Sequence, residues 1–311
     1  MEKKHFTVPS ADGRTTLHGI RWIPDGEIHG VLQLVHGMSE YIDRYDALAS
    51  YLCGYGIAVI GHDHLGHGGS IVSMDDLGYF AESDGKVILL KDMYRITWLA
   101  KKLWPDQPVF LLGHSFGSFL LRRYITIYGS EIAGAVICGT GDFALGEVRF
   151  AHRLAGTIRR QMGSHYVSPL LDQLAMGSIR VQFGPGPGRK DGSWLSANEE
   201  NAARYEADPL CGFPFTAGAY EDFFSLLCDL AEKKDGEHIP KKLPILMISG
   251  MDDALGGYTK KVLQVYNRMI ATGLKDVDIY FYADDRHEIL QEDDCEKVFG
   301  DIRDWMEKRM G

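Results

Sequence analysis

The 311-residue chain is predicted to adopt an α/β fold: a mostly parallel eight-stranded sheet with helices on both faces and a helical segment inserted into it. Three observations lead there. Short β-branched or aliphatic runs end in Gly-rich turns, as strands do. Helix-period segments alternate with those runs. One gap of roughly a hundred residues breaks the alternation, far beyond a usual connection.

The first strands lie near Phe6 to Val8 and at Leu17 to Ile23, and the Asp12-Gly13 pair between them is a strong hairpin cue, so these two should be antiparallel. The later runs are Val31 to Val35, Ile57 to Ile60, Val109 to Leu112, Ala135 to Cys138, Ile245 to Ile248 and Asp278 to Tyr282. They are almost continuously apolar, the mark of strands covered on both faces. Helical spacing appears at Arg44 to Gly54, Gly85 to Trp104, Phe116 to Tyr128, Tyr258 to Thr272 and Asp293 to Met310. Such alternation builds a sheet whose ligands bind beyond the carboxyl ends of its strands.

The gap divides the chain into a core, 1–141 with 241–311, and an inserted cap, 142–240. Inside the cap, Phe150, Leu154, Ile158 and Met162 recur at helical spacing, and Tyr220 to Ala231 reads as a helix. The Gly-Pro stretch from Gly184 to Gly188 reads as a surface loop, with a hinge as the alternative. The cap residues Phe150, Leu154, Ile158, Met162, Leu170, Leu171 and Leu174 suit either an acyl channel or the cap's own core; amphipathic helices bury one face, so most are expected in the core.

With hydrophobic residues at 45% and charged residues at 24%, the composition is that of an ordinary globular protein. A formal net charge of -10 without a dense Lys/Arg run argues against a nucleic-acid partner. The opening Met1 to Phe6 stretch lacks the apolar run of a signal peptide, and no segment reaches membrane-spanning length, so a cytoplasmic protein without stable membrane insertion is expected. Cys53, Cys138, Cys211, Cys228 and Cys295 are scattered and odd in number, which fits free thiols in a reducing compartment. Nothing calls for a cofactor or a metal, and self-association into a homo-oligomer is left open.

The sharpest chemical signal is Gly113-His114-Ser115-Phe116-Gly117, a G-x-S-x-G directly between a strand and a helix pattern. Its glycines permit the tight turn that lifts a serine above the sheet, and the helix aims its amino-terminal dipole at the reacting centre. Ser115 is therefore the candidate nucleophile. A serine needs a base and an orienting acid, in the order Ser, Asp, His. His287 is the histidine that follows the last strand. Asp253 follows the penultimate one, spaced from Gly250 as G-x-x-D, with Asp252 and Asp142 as alternatives. The oxyanion would be held by the amides of Phe116, after the nucleophile, and Met38, in the His36-Gly37-Met38 loop. His36 reads as a structural hydrogen-bonding residue. The run His62-Asp63-His64-Leu65-Gly66-His67-Gly68 lacks metal-ligand spacing and reads as a loop satisfying its own amides.

With these residues assembled, the sequence resembles the monoacylglycerol lipase and lysophospholipase group of the α/β-hydrolases, the serine aminopeptidase-like set, over nearly its whole length. The resemblance is carried by His36-Gly37-Met38-Ser39-Glu40 with Arg44-Tyr45, by the His62 to Gly68 run, by Gly113 to Gly117 and by Arg286-His287-Glu288-Ile289-Leu290. In the cap, Trp194-Leu195-Ser196 and Asp208-Pro209-Leu210-Cys211-Gly212-Phe213 resemble bacterial lysophospholipase-like caps. Tyr41 departs from the group, where a histidine is common. The resemblance implies the triad Ser115, Asp253 and His287, with Met38 and Phe116 as oxyanion donors. It leaves the substrate open within small-molecule acyl esters, of which a monoacylglycerol or lysophospholipid is the leading expectation. An aminopeptidase or amidase would use the same triad and need a cap carboxylate, such as Glu147, Asp172, Glu199 or Glu206, for the substrate amine. A binding protein that has lost catalysis is disfavoured by the complete triad, and dehalogenase chemistry by Ser in place of Asp at the elbow.

Overall fold

The computed structural model describes residues 1–184, 190, 192–232 and 235–310. Eight strands form one sheet: β1 (Glu2–Pro9), β2 (Thr16–Ile23), β3 (Gly30–Val35), β4 (Ile57–His62), β5 (Val109–His114), β6 (Gly134–Cys138), β7 (Ile245–Gly250) and β8 (Val277–Tyr282). Their spatial order is β1-β2-β4-β3-β5-β6-β7-β8. Only β2 runs against the rest, antiparallel to β1 and β4. The turn between β1 and β2 forms as its sequence predicts: Asp12 accepts hydrogen bonds from the Arg14 and Thr15 amides, and Gly13 takes a positive φ of 73°.

Every residue of β3, β4, β5, β6 and β7 is buried, which is why these runs carry no polar alternation. Successive side chains feed two cores. Val31, Val35, Val109 and Leu111 face one side, under α2 (Gly85–Leu103), α3 (Phe116–Tyr128) and α8 (Lys260–Ala271). Leu32, Leu34, Phe110 and Leu112 face the other, under α1 (Asp46–Cys53) and α9 (Cys295–Glu307). The observed strands β4, β5 and β7 run about two residues past the apolar runs, through His62, His114 and Gly250. Their polar or Gly ends carry the chain to the edge where the site lies.

Between β6 and β7 the chain forms α4 (Leu145–Met162), α5 (Pro169–Arg180), α6 (Glu199–Ala207) and α7 (Ala217–Ala231). Thr216 caps α7, accepting from the Ala219 amide. The expected buried face of α4 is corrected. Val148, Ala151, Ala155 and Gly156 are buried, and their small side chains let α4 lie close to α7, where a Cβ on Gly156 would meet the Glu221 carboxylate at 2.5 Å. The assignment of most cap apolar residues to a core is also corrected. Leu171 is fully buried and Leu154 and Ile158 pack against the core, but Phe150, Met162, Leu170 and Leu174 are 63%, 57%, 58% and 42% exposed. Of the Gly-Pro stretch, residues 185–188 lie outside the described residues. No helix among the described residues is long and apolar enough to cross a membrane.

Candidate active site

Ser115 sits alone between the last residue of β5 and the first of α3, with φ 53° and ψ -118°. A non-Gly residue in that region is strained, and here neighbours on every side hold it. The Ser115 amide donates to the Cys138 carbonyl at 3.0 Å. A Cβ on Gly113 would fall 2.3 Å from the Gly117 carbonyl oxygen, and one on Gly117 2.1 Å from that of Val35. The two motif glycines are therefore what bring α3 down onto β3 and β5.

His287 lies in the loop after β8, and its Nδ1 is 3.0 Å from Oδ2 of Asp253. Both are buried, and the His287 Nε2 is bonded to no other group among the described residues. Asp253 also accepts from the Leu255 amide at 2.8 Å. Burial pushes its carboxyl up, but the adjacent His287 and the amides of Gly256 and Leu255 outweigh that and hold it below the usual range. The other two candidate acids face elsewhere. Asp142 makes a two-pronged pair with Arg268 at 2.6 and 3.0 Å, and Asp252 pairs at the surface with Lys190.

The loop that follows β3 is built around Glu40. Its carboxylate accepts from the Gly37 amide at 2.6 Å, from the Tyr45 hydroxyl at 2.8 Å and from Arg44 at 2.8 Å, and it lies 3.3 Å from His114 Nδ1. Burial raises the Glu40 carboxyl, yet His114 and Arg44 reverse this and keep it well below the ordinary value. Gly37 has no room for a side chain, since a Cβ would sit 2.5 Å from Glu40 Oε1 and 3.2 Å from Ser115 Cβ. Met38 and Phe116 both line the cavity that contains Ser115. His36 holds the loop as the sequence suggested, its Nδ1 on the Gly37 carbonyl and its Nε2 accepting from the His64 amide.

Arg44 extends this network to α6, in the connection between β6 and β7. It grips Glu288 with two bonds of 2.6 and 2.8 Å, and Asn201 of α6 donates to the same carboxylate at 2.8 Å. His114 Nε2 is 3.2 Å from the His287 carbonyl. Sequence reasoning assigned no role to Glu40, Arg44, His114 or Glu288, although two of them flank Ser115 and His287 directly. That adjacency was the available signal.

The His62 to Gly68 run is a structural loop. Asp63 accepts from the amides of Ile42 and Gly69, each at 2.8 Å, and from His18 Nδ1 at 2.7 Å. His67 Nε2 accepts from the Ser39 amide. Among the described residues no group of three or more His, Cys, Asp or Glu side chains is placed to hold a metal. All five cysteines are free.

A cavity of about 630 Å³ opens over Ser115 and His287. Its apolar walls include Phe119 of α3, Val148 of α4, Leu174 of α5 and Leu227 of α7. Phe150 and Leu174, exposed as they are, are part of this lining.

The strand order with its single reversed strand, the strained serine between β5 and α3 and the buried Asp253–His287 pair at the same sheet edge define an α/β-hydrolase. The family model for serine aminopeptidase S33 matches residues 26–294, and the chain belongs to that family. It is 26% identical over 296 residues to a monoacylglycerol lipase of Mycolicibacterium smegmatis, covering 92% of this chain and 90% of that one. The monoglyceride lipase of Mus musculus is 26% identical over 234 residues, 75% of this chain and 68% of the mouse protein. In fold the chain is similar to a thermostable carboxyl esterase from Bacillus coagulans in complex with glycerol, with TM-score 0.91, 23% identity and full coverage of both chains. It is also similar to the Paleococcus ferrophilus monoacylglycerol lipase, with TM-score 0.70 and 23% identity over 94% of this chain and 99% of that one.

Proposed function

We propose that this chain is a carboxylic ester hydrolase that works through an acyl-enzyme on Ser115, with monoacylglycerols or lysophospholipids as its substrates. The observation that carries the reading is the buried Asp253–His287 pair beside a serine held at φ 53° under an apolar cavity. Ser115 Oγ attacks the ester carbonyl while His287 Nε2 takes its proton, and Asp253 holds the Nδ1–H and steadies the imidazolium. The amides of Met38 and Phe116 receive the oxyanion; losing one such donor costs about 10² to 10³ in rate. His287 then protonates the leaving alcohol and activates water for deacylation. Residues 142–240 act as the cap, and the α3, α4, α5 and α7 side chains along the cavity take the acyl chain. Each methylene buried there contributes about 0.8 kcal/mol, so chain-length preference is graded. The relatives named for monoacylglycerol and monoglyceride support this substrate class. The five free thiols support a reducing, cytoplasmic setting.

Glu147 and Glu206 on the cavity wall favour a second reading, an aminopeptidase that grips the substrate amine. Turnover of a panel of monoacylglycerols, lysophospholipids and aminoacyl amides separates the two. Wild-type protein is expected to cleave the esters and to be labelled by a fluorophosphonate, whereas Ser115→Ala should lose both while keeping its thermal midpoint. Labelling elsewhere than Ser115, or none at all, refutes the proposal.

A further inference from the structure

The imidazole of His287 is flanked by two rings besides its bond to Asp253. One belongs to the core, His114, with ring centroids 4.9 Å apart. The other comes from the cap: the Trp194 indole lies 5.0 Å from the His287 ring, the two planes inclined by 36°. Trp194 is half-buried and also lines the cavity.

The segment carrying Trp194 is fastened to the loop carrying His287. Glu292, itself buried, accepts from the Ser196 hydroxyl at 2.7 Å, from the Ala197 and Asn198 amides at 2.9 Å each, and from the Arg286 amide at 3.0 Å. Arg286 donates to the Ser193 carbonyl at 2.6 Å, and the Glu288 amide donates to the Leu195 carbonyl at 2.8 Å. Thus both neighbours of Trp194 in the chain, Ser193 and Leu195, are bonded to the residues either side of His287. Two loops far apart in sequence are clipped in register by one carboxylate, one guanidinium and one main-chain bond.

We infer that Trp194 is a positioning residue for the hydrolase site, its indole tilted against His287 within reach of the imidazolium formed in the transition state, with Glu292 holding the segment that presents it. The inference rests on the reading of His287 as the base. An aromatic face within about 6 Å of a cation attracts it. That attraction appears only when the ring is charged, so it favours the transition state over the bound ester and acts on kcat. Among the described residues the titratable side chains set against the His287 ring are Asp253 and His114, the latter 3.3 Å from Glu40, and a substitution at Trp194 replaces none of these.

The test is steady-state kinetics on a monoacylglycerol and the rate of fluorophosphonate labelling of Ser115, for wild type, Trp194→Leu, Trp194→Phe and Glu292→Gln. Trp194→Leu is expected to lower kcat and the labelling rate about 3- to 10-fold, with KM within about twofold, and to move the acid limb of kcat/KM down by about half a pH unit. Trp194→Phe should restore most of the rate and the limb. Glu292→Gln should follow Trp194→Leu in direction, and combining the two should cost little more than the worse one alone. A rise in KM at unchanged kcat, or a Leu variant equal to the Phe variant in rate and pH profile, overturns the inference. If wild-type Ser115 is not labelled, the hydrolase reading itself falls; if it is labelled and the variants react equally fast, only the role of Trp194 falls.

Discussion

Replacing His62 with leucine should make the protein less sensitive to acid, by an amount that the burial of the ring sets. His62 closes β4 and is fully buried, and neither ring nitrogen has a hydrogen-bond partner among the described residues. Burial first, and the charge of His36 second, push its pKa down to about 3. The unfolded chain takes up a proton near pH 6.5, while the folded one does not until near pH 3. Between those limits the unfolded state binds more protons, so stability falls as pH falls. Integrating one such proton from pH 7 to pH 5 gives about 2 kcal/mol, a large part of a total stability of about 5–15 kcal/mol. Other groups titrate in this range. His67 is likewise held down to about 3, by burial and then His36, whereas burial raises Asp92 and Asp222 to about 6 and Asp285 to about 7, which works in the opposite sense. A difference between wild type and His62→Leu removes these shared contributions. Urea denaturation at pH 7 and pH 5 should therefore show wild type losing about 2 kcal/mol more than the variant over that interval. At pH 7 the leucine also relieves two buried polar atoms of their missing partners, worth about 1–3 kcal/mol before any repacking cost. Equal pH dependence of the two proteins would refute the reasoning, because it would mean that His62 is hydrated or already charged in the fold.

Three other outcomes follow from the site. Asp253→Asn should lower kcat by several orders of magnitude while Asp142→Asn, which only loosens a pair with Arg268, should leave it within about threefold; the reverse ranking in an esterase assay would move the acid to β6. Arg44→Met strands the buried carboxylates of Glu40 and Glu288 and is expected to cost about 3–5 kcal/mol by chemical denaturation, against about nothing for an exposed pair such as Arg204–Glu200. Gly37→Ala places a methyl 2.5 Å from Glu40 Oε1, so kcat should fall about 10² to 10³ with the cavity's affinity for a non-reactive ester analogue little changed.

The core of the fold was legible because its signals are local. A strand buried on both faces must be apolar along its length, and a serine elbow must carry glycines where Gly113 and Gly117 stand. The segment between β6 and β7 was less so. Phe150 and Met162 looked like a buried stripe by spacing, but α4 packs on α7 through Ala151, Ala155 and Gly156, and spacing alone does not say whether large or small residues make a contact. Asp253, Asp252 and Asp142 all follow strands of the same sheet edge, so only the distances to His287 and Arg268 distinguish them. Trp194 stood out only as part of a familiar stretch, and its role with Glu292 was hidden for a plainer reason. Their partners lie more than ninety residues away in the chain, so no local spacing marks them.

Asp63 gives the amino-terminal hairpin a reach beyond its own strands. His5 lies 2.8 Å from His18, His18 lies 2.7 Å from Asp63, and Asp63 grips the Ile42 amide five residues beyond Gly37. A hairpin at the far edge of the sheet thus braces the loop that follows β3 in the middle of it. Trimming the chain to begin at β3 would strip away Leu17, Ile20 and Trp22 from the cores and also leave a buried carboxylate without its imidazole, so a shortened enzyme should bind its ester and turn it over poorly.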